Sequence, residues 1–105
     1  MRSIVQDKKE CLVCHTTIGL HKHHVFYGYN GNREKSEKYG CWVWLCGKHH
    51  NLSNEGVHFD KRLDGVIKAI TQKRFNEVYK ELRFIDVFHR NYMEVEDDTK
   101  TRDDV

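Results

Sequence analysis

A small α+β fold is predicted by three features of the 105-residue sequence: two chelating Cys/His pairs, two short apolar stretches between them, and helical periodicity after residue 60. Hydrophobic residues make up 38% and charged ones 32%, with a mean hydropathy of -0.80, so one domain (residues 1–93) with a small core is expected. A chain this short buries roughly 60–70% of the surface it exposes unfolded and usually needs a staple. Four Cys and eight His, with no Pro, offer one. No apolar run approaches the roughly 20 residues that span a bilayer. The opening MRSIVQDKKE has no apolar segment after its charges. No membrane association and a cytoplasmic location are therefore expected. Thiols kept reduced there move the four cysteines from disulfides toward metal.

The elements follow in order. Residues 1–10 are a polar lead-in, and Cys11–x–x–Cys14 forms a knuckle. Residues 24–29 (HVFYGY) read as a strand of β-branched and aromatic residues. Residues 30–40 (NGNREKSEKYG) are polar, contain Asn-Gly and read as a loop. Residues 41–45 (CWVWL) make a second strand with both Trp on one face. Residues 47–54 (GKHHNLSN) begin a helix that ends near Gly56. In the helical part, residues 60–93, Leu63, Val66, Ile67, Ile70, Val78 and Leu82 recur at helical spacing with Phe75 and Tyr79 nearby, an amphipathic helix of about five turns. Phe84, Ile85, Phe88 and Tyr92 suggest a shorter helix, both serving to cover the hairpin. Residues 94–105 carry six acids against Lys100 and Arg102, a tail of -4 expected to be disordered, which leaves +6 on the other 93 residues. A basic body is compatible with a polyanionic partner.

Cys11–x–x–Cys14 and Cys46–x–x–His49 are separated by 31 residues. A two-residue gap lets both side chains of a pair reach one ion from a tight turn, and two pairs complete the tetrahedron of sulfur and nitrogen that zinc prefers. A knuckle, a hairpin and a second pair at a helix start describe a treble-clef finger around a structural Zn2+. Cys41 has no partner at chelating distance and reads as packing. A second group is His23–His24 on the first strand, His50 directly after His49, then Asn54 and His58. Neighbouring strand residues point to opposite sides, so one of His23 and His24 can meet His50 while the other faces a substrate water.

The pattern Cys11–x–x–Cys14, His23–His24–Val25, Cys46–x–x–His49–His50 resembles the HNH endonuclease family with its ββα-metal fold, and within it the small zinc-stabilised nucleases of bacteriophages. The resemblance covers residues 11–58, about half the chain. It implies that His24 is the general base and that His23 and His50 hold a catalytic divalent metal. Asn54 and His58 are candidates for a further ligand; imidazole is the better donor, which favours His58. The family's middle Asn has no counterpart at Cys41, leaving its loop-bracing role to Asn30 or Asn32. The second pair ends in His49 where the family has Cys, so His49 and His50 are interchangeable between the two metals on spacing alone.

The implied activity is metal-dependent hydrolysis of DNA phosphodiester bonds with weak sequence preference, in phage recombination or DNA processing. The compartment would be the cytoplasm of a bacterium or phage-infected cell. The catalytic ion would be Mg2+, Mn2+, Ni2+ or Zn2+, imidazoles favouring the transition metals. Arg33, Lys35, Lys38 and Lys48 are the candidate nucleic-acid contacts, Arg33 first because a guanidinium clamps phosphate through two bonds. DNA and a recombination protein are the expected partners of a monomer or homodimer. The alternative is a non-catalytic treble-clef zinc module that binds nucleic acid or protein.

Overall fold

A computed structural model describes residues 1–28 and 30–93. The elements run β1 (Leu20–His24), α1 (Asn32–Tyr39), β2 (Trp42–Cys46), α2 (Gly47–His50), α3 (Lys61–Val78) and α4 (Phe84–Phe88). The result is an α+β molecule built on one two-stranded antiparallel sheet. Its register pairs Leu20 with Cys46, His23 with Val43 and His24 with Trp42. No helix among the described residues is long and apolar enough to cross a membrane. The expected acidic tail, 94–105, and Tyr29 of the expected first strand lie outside the described residues; the bracing candidate Asn30 is exposed in the turn before α1, in the left-handed region (φ 65°).

The first strand is earlier than expected. The ladder occupies LHKHH, which lacks the β-branched residues that marked 24–29. Beyond His24 only Val25 still reaches across, its N–H donating to the Cys41 carbonyl at 3.0 Å. Phe26 then leaves the ladder: its N–H donates to Ser36 Oγ (3.1 Å), and the Ser36 hydroxyl donates back to the Phe26 carbonyl (2.7 Å). Phe26 is fully buried against Phe84, Phe88 and Tyr92, so burial outweighs strand propensity here.

The expected loop 30–40 is largely a helix, α1. NREKSEKY is rich in Arg, Glu and Lys, good helix formers, but carries no apolar stripe to reveal it. Its inward side is polar: Asn32 and Ser36 are buried. The helix ends on Gly40 in the left-handed region (φ 74°), where Gly40 N–H bonds the Glu37 carbonyl and Cys41 N–H bonds that of Ser36 (2.7 Å). A Cβ at Gly40 would also collide with the Arg2 carbonyl, so both backbone angle and space require glycine.

The N-terminal segment wraps the free edge of β2. Gln6 Oε1 accepts from Trp44 N–H (2.7 Å), Leu12 N–H donates to the Trp44 carbonyl (2.9 Å), and Ser3 Oγ donates to that of Trp42 (2.6 Å). These bonds satisfy an edge that would otherwise stand open. They also carry the chain to the knuckle at Cys11.

Helix α3 begins at Asp60, whose carboxylate accepts from the N–H groups of Arg62 and Leu63. Its buried line is Ile67, Thr71, Gln72 and Phe75, with Leu63 and Tyr79 packed beside it. Val66, Ile70 and Val78, expected in the core, are 40–50% exposed, and Leu82 lies beyond the helix end. The face is rotated because two polar residues are satisfied internally. Thr71 Oγ1 donates to the Ile67 carbonyl, and the Gln72 amide bonds both Asn91 and the Tyr92 N–H. Phe84 and Phe88 of α4 close the core over Phe26 and Phe75, while Ile85 is exposed.

Cys41 is fully buried in this core, and burial pushes its thiol up to about 12. The unfolded thiol ionises near the ordinary value of 9.0 and the folded one does not, so the unfolded state binds fewer protons above that pH. Stability supplied by Cys41 is complete below pH 9 and declines as pH rises from there toward about 12. Denaturant titrations at alkaline pH should show this slope in the wild type and a shallower one in Cys41→Ala.

Candidate metal centre and adjoining cleft

Cys11, Cys14, Cys46 and His49 converge at one end of the sheet, and together they could hold a metal such as zinc. The knuckle is tightened by Cys11 N–H bonding the Thr16 carbonyl and His15 N–H bonding that of Cys11, with His15 in the left-handed region (φ 66°). Cys46 ends β2 and His49 sits one turn later on α2. Around a tetrahedral zinc, two thiolates stand about 3.8 Å apart and a thiolate and an imidazole nitrogen about 3.6 Å, from bonds of about 2.3 and 2.0–2.1 Å. The observed separations are 3.7 Å for Cys14 Sγ to Cys46 Sγ, 3.8 Å for Cys11 Sγ to His49 Nδ1, and 3.3 Å for Cys46 Sγ to His49 Nδ1. Burial alone would raise the Cys11 thiol, but backbone hydrogen bonds from Cys14, Cys46 and Val13 outweigh it and bring it to about 6. A thiolate is therefore accessible at neutral pH, the form that binds metal. Cys41 is outside this set, as its isolation in sequence suggested.

On the α2 side of the sheet, His23, His50 and His58 form a second cluster with nitrogens within 4.8 Å of one another. His23 is on β1, 2% exposed, and its Nε2 has no hydrogen-bond partner among the described residues. An orphaned buried nitrogen is costly, and an ion is one way to satisfy it. His50 Nε2 lies 3.1 Å from His58 Nε2. Two imidazoles about 2.1 Å from a shared ion stand about 3.0 Å apart at a right angle and about 3.4 Å apart in a tetrahedron. His58 arrives by a return of the chain: Val57 N–H bonds the His49 carbonyl and His58 N–H that of His50. Gly56 makes this possible, since a Cβ there would collide with the His50 backbone.

Both ring environments disfavour protonation. Burial, then the neighbouring His50 and His58, lower His23 to about 3. Burial, then His58 and His21, lower His50 to about 4. At pH 7 both rings are neutral, with lone pairs available to an ion.

His24 points to the opposite side of β1, as strand alternation requires. Its Nε2 is 2.8 Å from Glu37 Oε1 on α1. Lys22, His24, Tyr27 and Arg33 join the three histidines in lining one cleft of about 270 Å3. The strand thus brings one imidazole to the ion cluster and its neighbour to the rim of the same cleft.

The remaining candidates are dispersed. Asn54 is exposed in the turn after α2, which is a single turn of helix ending at His50; the helix expected over residues 47–54 does not reach it. Lys35 Nζ donates to the Val87 carbonyl (2.8 Å), tying α1 to α4. Lys38 lies over the Tyr39 ring, and Lys48 pairs with Glu55 at 3.6 Å. Only Arg33 of the four basic candidates lines the cleft. Asn32 is buried at the start of α1 with Oδ1 unpartnered among the described residues.

Three contributors escape the sequence pattern. His21 Nδ1 is 2.9 Å from His50 Nδ1, so His50 stands between His21 and His58. Tyr27 packs its ring against His23 and His58. Glu37 meets His24 from a helix that the sequence did not reveal. Alternation along β1 was the available signal for His21, two residues before His23.

No family model matches this chain, and no curated protein or solved structure is significantly similar to it.

Proposed function

We propose that this protein is a metal-dependent DNA endonuclease of the HNH type, with a treble-clef zinc site beside a ββα-metal catalytic site. The observation that carries the reading is the split of His23 and His24: one imidazole in a three-histidine cluster, the next free of that cluster on the rim of the same cleft. A zinc module that only binds has no use for an ion-ready cluster with an uncoordinated imidazole beside it.

In this reading zinc at Cys11, Cys14, Cys46 and His49 is structural. When a divalent ion is bound at His23, His50 and His58, the chemistry available there is Lewis acidity toward the phosphate and the leaving 3′-oxygen. His24 accepts a proton from the attacking water as the new phosphorus–oxygen bond forms and the bond to the 3′-oxygen breaks. Arg33, with Lys22 beside it, engages non-bridging phosphate oxygens at the cleft mouth. The cleft residues are taken up by the ion, the water and the phosphate in this reading, which fits action on the backbone with weak sequence preference.

The test is a supercoiled-plasmid assay on zinc-loaded protein across magnesium, manganese, nickel and zinc. Nicking in at least one added metal, abolished by chelator, is expected. Folded, zinc-containing protein that cuts in none of them would leave the non-catalytic binding module as the better reading.

A further inference from the structure

Glu37 is not part of the cluster or the zinc set, yet its carboxylate lies 2.8 Å from His24 Nε2. We propose that Glu37 is the positioning residue of His24: its carboxylate accepts the Nε2–H, fixing the ring and leaving Nδ1 as the bare nitrogen that receives the proton of water. This rests on the nuclease reading above.

The geometry supplies a reason for each part. The carboxylate is held charged from another direction, by Lys22 Nζ at 3.2 and 3.4 Å. The hydrogen bond to His24, helped by Lys22, lowers the Glu37 carboxyl below its usual range, so it is an acceptor only. A neutral imidazole facing a carboxylate must present its N–H there, which determines the tautomer. Helix α1, which carries Glu37, is fastened to the chain after β1 by the paired Ser36–Phe26 hydrogen bonds, one residue from Glu37. Position and proton are thus set before substrate arrives. A carboxylate behind a catalytic imidazole acts in the same way in hydrolytic triads.

A plain ion pair tying α1 to β1 would have a different signature. It would lower the melting temperature and leave turnover alone. Two measurements separate the cases. In 15N-labelled, zinc-loaded wild type at about pH 8, where an ordinary imidazole is neutral, two-bond 1H–15N spectra should show His24 protonated at Nε2 and bare at Nδ1. In Glu37→Ala the Nε2–H share should relax to the mixture of a free imidazole, and kcat for nicking should fall about 10–100-fold at unchanged KM and metal content. Glu37→Gln, which keeps an acceptor oxygen, should recover part of both. Protonation at Nδ1 in the wild type, or a wild-type kcat in Glu37→Ala, overturns the assignment. A wild type that cuts nothing overturns the nuclease reading instead, and the tautomer then decides alone whether Glu37 orders His24.

Discussion

Cys46→Ala is expected to unfold the protein. Structural zinc contributes about 10–16 kcal/mol in comparable small fingers. A whole domain is stable by only about 5–15 kcal/mol. A substitution that costs the site its zinc therefore removes most or all of what the fold has in reserve. The core cannot compensate: it is a small set of buried side chains in which Phe26, Phe75, Phe84 and Phe88 dominate. Even Phe26→Ala would cost only about 3–5 kcal/mol. Position matters as well, because Cys46 ends β2 and begins the turn bearing His49 and His50, so one loss loosens both clusters. Circular dichroism and tryptophan fluorescence should show an unfolded chain for Cys46→Ala, and for wild type treated with a strong chelator. Cys41→Ala, outside the ligand set, should remain folded. A Cys46→Ala protein that melts cooperatively within a few degrees of wild type would remove the zinc site from the explanation of the fold.

His24→Ala is expected to leave fold and metal content intact while lowering nicking about 10²–10⁴-fold, the range of a lost general base. The contact it loses is one hydrogen bond to Glu37, whose side chain is 41% exposed. Losing a single hydrogen bond of this kind costs about 0.5–1.5 kcal/mol. The contrast with His50→Ala is diagnostic. Loss of a ligand weakens metal binding, so excess metal should restore part of the rate in His50→Ala. No concentration of metal should rescue His24→Ala, whose defect is proton transfer. Nicking by His24→Ala within about twofold of wild type would show that another group activates the water.

Chelating chemistry was the most legible part of the sequence because it is local. Cys11–x–x–Cys14 and Cys46–x–x–His49 announce themselves by spacing, and the structure brings the four together. His23, His50 and His58 required a further step, that the hairpin lies against the turn carrying His50, and β1 and α2 do meet in this way. Asn54 was placed beside His50 on the expectation of a longer helix, whereas the chain turns back after His50 through Gly56. The strand slipped because Val25 and Phe26, strong strand formers, are used for burial beyond the ladder. Helix α1 was invisible to periodicity because its anchor is a serine hydroxyl on a backbone rather than an apolar stripe. Glu37 was lost with it: nothing in EKSEKYG distinguishes one glutamate from its neighbours until the helix sets it against β1. The rotated face of α3 has the same origin, polar side chains satisfied inside.

The proposed pair of ion sites flanking one hairpin, one holding the fold and the other serving chemistry, is tested most directly by counting metal. Elemental analysis and titration of purified protein should give one tightly held zinc and a second, weaker divalent ion. His50→Ala and His58→Ala should keep the zinc and lose the second. A single ion at saturation in wild type, unchanged by either substitution, would contradict it.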